Sequence, residues 1–186
     1  MMTQDEKILR NLARRYAVAA SDPRNQENRK LHTAVNDLAM IRPVVLIDEI
    51  PFSELNFDGS LTLQCQDSDF RAAEDFFSKK LFQWQYFPAD MILPPYFPVQ
   101  KVMHETGCGL TVEETTLATD VANNIISHEY EDLLEDESAL SLFHLPEVTY
   151  DEIETMRLYT KIGTAIGDIL PVRLTGHDSY IPIWDD

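Results

Sequence analysis

Three groups of side chains in this sequence have the types and spacing to do chemistry. The first is His177-Asp178-Ser179-Tyr180, which follows the apolar segment Ile169–Val172 and Thr175-Gly176. Histidine moves protons near neutral pH, and a neighbouring carboxylate raises its pKa. The plain alternative is a strand-end hydrogen bond that fixes a loop. Successive strand residues point to opposite faces, so adjacent numbers do not establish contact. The second group is Asp48-Glu49, directly after Pro43-Val44-Val45-Leu46-Ile47. Two carboxylates there suit a cation or a metal, or else cap a loop. The third is His104 with Cys108, a zinc-ligand spacing if both stood on a helix. Gly107 and Gly109 flank the cysteine and argue for a turn instead.

The elements that must position these groups can be read from periodicity. Thr3-Gln4-Asp5-Glu6 is a capping box, and Ile8, Leu12, Tyr16 and Ala19 follow at helical spacing, so a helix is expected over 4–20. Asp22-Pro23 starts a second helix, with Leu31, Val35 and Leu38 as its apolar face and Arg42-Pro43 as its end. The run 43–47 suits a strand buried on both faces of a parallel sheet. Phe70, Ala73, Phe77, Leu81 and Trp84 recur along one side of a helix over 69–86, capped by Asp67 or Ser68. Met91-Ile92-Leu93 reads as a second strand, which Pro94 and Pro95 must end.

Leu110–Leu117 alternates as a hairpin strand would, and Glu129–Glu137 is an acidic, solvated stretch. A short helix is expected within 135–143. Thr149-Tyr150-Asp151-Glu152 then reads as another capping box for a helix ending near Gly167, and a third strand follows. Strands joined by such helices imply parallel pairing with right-handed crossovers.

Bulk composition narrows the function classes. The chain has 186 residues, 44% hydrophobic and 25% charged, enough for one domain with a real core. With 15 Lys and Arg against 32 Asp and Glu, the net charge is −17. A phosphate backbone or an anionic membrane surface needs clustered positive charge, so neither nucleic acid nor membrane is expected as a partner. Two cysteines are too few for a disulfide scaffold, no apolar stretch is long enough to span a bilayer, and Met1 leads into a polar helix rather than a signal peptide. A cytoplasmic protein with reduced thiols is the expectation.

In order and spacing, several segments resemble the uroporphyrinogen decarboxylase-like superfamily, which also contains the corrinoid-dependent methyltransferases. They are Pro43–Ile47; Cys65-Gln66-Asp67-Ser68-Asp69-Phe70-Arg71-Ala72-Ala73-Glu74; Phe87-Pro88-Ala89-Asp90-Met91-Ile92-Leu93; Leu145-Pro146-Glu147-Val148; and Leu170-Pro171-Val172-Arg173-Leu174-Thr175-Gly176. The resemblance covers about Arg14 to Asp186. It implies an α/β fold: roughly the first three parallel strands of a (β/α)8 TIM barrel, over 43–186, preceded by a helical segment over 1–42. Barrel chemistry sits at the C-terminal strand ends. The implied substrate-binding positions are Asp48, Glu49 and Tyr96, and the implied catalytic positions are His177, Asp178 and Tyr180.

The sequence departs from true porphyrinogen decarboxylases in three places. Asp48-Glu49 stands where a polycarboxylate substrate calls for cations, and like charge repels. Leu93-Pro94-Pro95-Tyr96 lacks the aspartate that binds pyrrole N–H groups. After the third strand the catalytic tyrosine is expected, if no gap intervenes, near the position that Trp184 occupies. The methyltransferase-like branch is therefore the expected one. It implies zinc and a corrinoid, with zinc ligands expected outside this chain, and hence a corrinoid protein or a complementing chain as partner. A chain inactive alone is expected on this reading. Two other readings stay open: a non-catalytic module that pairs its open edge with another chain or a second copy, and a metal-dependent hydrolase using Asp48, His177, Asp178 and Asp185.

Overall fold

The computed structural model describes residues 2–109, 113–117, 126–133 and 137–176. His177, Asp178 and Tyr180, like Trp184 and Asp185, lie outside the described residues. Helices run over Gln4–Ala20 (α1), Arg24–Asn36 (α2), Ser68–Tyr86 (α3) and Glu152–Ile166 (α4). Short strands cover Phe97–Gln100 (β1), Val102–Glu105 (β2), Glu114–Leu117 (β3), Ser127–Tyr130 (β4), Val148–Asp151 (β5) and Val172–Thr175 (β6). The fold is mixed α/β. Its strands pair two by two, β1 with β6, β2 with β5 and β3 with β4, and among the described residues they close no barrel.

The helices start where local chemistry dictates. The Thr3 backbone N–H donates to the Glu6 carboxylate at 2.6 Å, and the Glu6 N–H donates to the Thr3 hydroxyl at 3.2 Å, a complete capping box. Asp22 accepts the Arg24 N–H at 2.9 Å just before α2. Asp67 accepts from the N–H groups of Asp69 and Phe70 and caps α3. At α4 the cap is Asp151, which accepts the Glu154 N–H at 2.8 Å. Thr149, the residue expected there, is instead paired with His104 in the β2–β5 ladder.

Two strands expected from the apolar runs are absent as ladders. Residues 43–50 and 91–94 form no helix and pair with no strand. Side chains meet several of their backbone polar groups, and the Asp90 N–H donates to the Val45 carbonyl at 3.0 Å. The Asp90 carboxylate takes the Val45 N–H at 2.9 Å, and the Gln83 amide donates to the Ile47 carbonyl at 2.6 Å. Asn25, Asn28 and His32 form a polar stripe on α2, spaced one and two helical turns apart. Asn25 accepts the Leu93 N–H at 2.7 Å, and Asn28 donates to the Met91 carbonyl at 2.9 Å. His32 donates through Nε2 to the Asp90 carbonyl at 2.9 Å, since a carbonyl only accepts. The helix face thus stands in for a neighbouring strand. Leu31 and Val35 of the expected apolar face are half-buried, whereas Leu38 lies beyond the end of α2 and is 95% exposed, at a φ of 56°.

β1 and β6 pair in parallel, but β1 lies outside the runs 43–47 and 91–93 from which parallel strands are expected. The Phe97 N–H donates to the Pro171 carbonyl and the Lys101 N–H to the Thr175 carbonyl, the same offset in the same sense along both segments.

The chain divides into two compact units, Met1–Val99 with Met156–Leu174, and Gln100–Thr155 with Thr175–Asp186. The first holds the hydrophobic core. Leu9, Leu12, Ala13 and Tyr16 of α1 meet Phe70, Ala73 and Phe77 of α3, with Ile162, Ala165 and Ile166 of α4 and Leu93, Phe97 and Val99. Tyr16, Phe76, Phe77 and Phe97 form a ring cluster with edge-on and tilted contacts of 5.1 to 5.9 Å. The second unit carries the antiparallel ladders β2–β5 and β3–β4. Every side chain of β3 and β4 is exposed.

Candidate functional site

Of the sequence-derived site residues, Asp48 reaches a cavity. The cavity measures about 300 Å³, at the small end of ligand sites, and is lined by Asp48, Phe52, Phe76, Lys79, Lys80 and Gln83 with Ala72 and Asp75. Local structure explains how Asp48 arrives there. Gln83, buried on α3, holds the Ile47 carbonyl and so anchors the backbone one residue upstream. The Ile50 N–H donates to the Asp48 carbonyl at 3.0 Å and turns the chain away. Across the cavity Lys79 pairs with Asp75 at 2.7 Å, and its ammonium sits 5.7 Å from the Phe52 ring centre. The lining therefore offers two carboxylates, two ammonium groups and two aromatic rings.

Glu49 is exposed and does not line this cavity. Tyr96 is half-buried and lies elsewhere in the same unit, with the Arg173 guanidinium 4.7 Å over its ring. Tyr96 does not line the Asp48 cavity. The remaining predicted residues, His177, Asp178 and Tyr180, fall outside the described residues.

Charge clusters that the sequence reading missed hold the first unit together. Asp90 is buried, takes Arg42 through both carboxylate oxygens at 2.6 and 2.7 Å, and also accepts the Val45 N–H. The Arg42 guanidinium, then the Val45 N–H, hold its carboxyl well below the usual range. Lys161 of α4 reaches Asp67 at 2.6 Å and Asp69 at 2.7 Å, and Arg157 bonds Asp69 at 2.7 Å. Arg157 first, with Lys161, lowers the Asp69 pKa to about 2. Four successive backbone N–H groups, Gln64 to Asp67, are taken by the carboxylates of Glu74 and Asp5. Most of these contacts lie far apart in sequence, and all are polar, which is why hydrophobic periodicity gave no signal for them.

Among the described residues neither cysteine joins a cluster that could hold a metal, and Cys65 is not placed for nucleophilic chemistry. Cys65 is fully buried; burial first, then the Glu74 carboxylate, pushes its thiol up to about 12. A thiol that stays protonated is no nucleophile. Cys108 is exposed, and its carbonyl accepts the His144 N–H. His104 stands on β2, 3.5 Å from Asp151. Among the described residues no group of three His, Cys, Asp or Glu side chains converges on a metal position. Zinc therefore does not fit the residues described.

No protein-family model, curated protein or solved structure matches this chain. Among the described residues, no helix is long and apolar enough to cross a membrane.

Proposed function

We propose that this chain supplies the amino-terminal share of a uroporphyrinogen decarboxylase-like α/β barrel. Its branch is closer to the corrinoid-dependent methyltransferases than to the porphyrinogen decarboxylases, and its chemistry requires the rest of the barrel. The observation that carries this reading is the state of the run Val44–Ile47. Its composition suits a strand covered on both faces, yet Val45, Leu46 and Ile47 are 54%, 51% and 37% exposed and join no ladder. The parallel β1–β6 pairing, reached through α4, supports the same architecture. In that branch zinc and a corrinoid supply thiolate formation and the methyl group. Their ligands belong to other parts of the barrel.

In this reading the described residues position rather than react. Arg42, Asp90 and Gln83 fix residues 45–47 so that Asp48 and Glu49 stand at the segment's end. Two carboxylates there repel a polycarboxylate porphyrinogen. His177, Asp178 and Tyr180 would follow β6 as the proton-handling groups of the completed site.

Light scattering on the purified chain tests the reading. An uncovered apolar run predicts self-association, or capture of a chain carrying further barrel strands. A well-folded monomer with no such association would overturn it. Release of carbon dioxide from a uroporphyrinogen by this chain would overturn the choice of branch.

The same uncovered run favours a second reading, a non-catalytic module that pairs with another chain. Methyl transfer from methylcobalamin to a thiol by the associated complex, and not by a complex carrying Asp48→Asn with His177→Ala, would decide for the first.

A further inference from the structure

On the other side of α3 from the Asp48 cavity, a groove of about 450 Å³ is lined by Arg15, Val18, Arg24, Leu81, Trp84 and Gln85. We propose that it binds a monoanionic carboxylate carried on an apolar body. The helices bring these residues together by spacing. Arg15 and Val18 lie one turn apart on α1. Leu81, Trp84 and Gln85 lie one turn apart on α3, and Arg24 opens α2.

Charge selects the ligand. In a chain with 32 acidic and 15 basic side chains, this lining has two guanidinium groups and no carboxylate. Arg24 stacks on the Trp84 indole at 4.2 Å and is neutralised by Asp22 at 3.1 Å. Arg15 is exposed and pairs with no carboxylate among the described residues. One net positive charge remains, which matches a single carboxylate better than a phosphate dianion. A guanidinium fork binds a carboxylate through two parallel hydrogen bonds, and Gln85 offers an amide donor beside it. Val18, 74% exposed, and Leu81 supply the apolar walls. The volume lies within the range of small-molecule sites, roughly 300–1,000 Å³. This groove does not depend on the barrel reading, and its test can fail or succeed independently.

The experiment is a nuclear magnetic resonance titration of the full chain with phenylacetate, reading the Trp84 indole N–H in a Trp184→Phe background. A saturable shift is expected, with none from phenylacetamide or inorganic phosphate at equal concentration. Arg15→Ala should weaken phenylacetate about tenfold, the worth of one charge-assisted pair, and Arg15→Lys should fall between. Arg15 has no structural partner among the described residues, so loss of folding is not expected to mask the result. No saturation, an equal response to phenylacetamide, displacement by phosphate, or unchanged binding by Arg15→Ala would each overturn the proposal.

Discussion

The two units of this chain are held by different physics. In Met1–Val99 with Met156–Leu174, aromatic and aliphatic side chains of α1, α3 and α4 are sealed from water, and ion clusters bind the helix ends. In the second unit no apolar side chain is fully buried among the described residues; Thr155 is the buried one. Its hydroxyl donates to the Asp151 carbonyl at 2.6 Å and accepts the Val102 N–H at 2.9 Å. Ladders alone cover little apolar surface, and isolated two-stranded pairs are marginal in water. The contrast teaches that the positioning of Asp48 and Tyr96 rests on a genuine core, whereas β2–β5 and β3–β4 rest on backbone hydrogen bonds.

The largest expected contrast is between the two thiols. Cys65 sits in the core unit, fully buried, and Cys108 in the ladder unit, exposed. A thiol reagent under native conditions should label Cys108 quickly and Cys65 only after denaturant is added. Equal labelling rates, followed by peptide mass spectrometry, would break the comparison.

Core truncation comes next. Phe77 is fully buried and touches Tyr16, Phe76 and Phe97. Phe77→Ala should cost about 3–5 kcal/mol in urea unfolding. A loss under about 1 kcal/mol would show that the ring cluster is not the stabilising element.

Asn25 sharpens the comparison, because it does in the core unit what ladders do in the other. Asn25→Ala leaves the buried Leu93 N–H without an acceptor and should cost about 1–3 kcal/mol. Asn25→Asp keeps the acceptor but loses the amide's donation to the Ala19 carbonyl at 2.8 Å. Its thermal midpoint should also fall, with the Leu93 N–H still protected from exchange.

The smallest expected effect is on acid stability. Asp69 in the folded chain binds its proton more weakly than in the unfolded chain, with a pKa of about 2. Its pairing therefore stabilises the fold fully above the unfolded carboxylate pKa, about 4, and is lost as pH falls through about 2. Asp90, lowered by Arg42, acts in the same direction. Asp69→Asn should flatten the acid limb of a thermal-melt series. An unchanged limb would detach the Asp69 cluster from stability.

Much of the helical frame was legible in the sequence, because caps and apolar spacing are local. Thr3–Glu6, Asp67 and the stripe Phe70, Ala73, Phe77 all did what their spacing dictates. The apolar runs 43–47 and 91–93 misled because residue type does not specify the partner of a strand. Asp90, Asn25 and Gln83 supply side-chain partners from positions tens of residues away, and pattern reading sees only neighbours. The candidate site was legible at Asp48, where a charged residue follows an apolar run. The cavity beside it depends on Phe52, Lys79 and Lys80, which the chain brings together only on folding.

Hydrogen exchange followed by mass spectrometry tests the contrast between the units most directly. The amides of α1, α3 and the later turns of α4 should exchange slowly, opening only with global unfolding, while β3 and β4 exchange through low-energy local opening. Uniform slow protection across both units would contradict a core confined to the first. Rapid exchange in α1 and α3 would contradict the core itself.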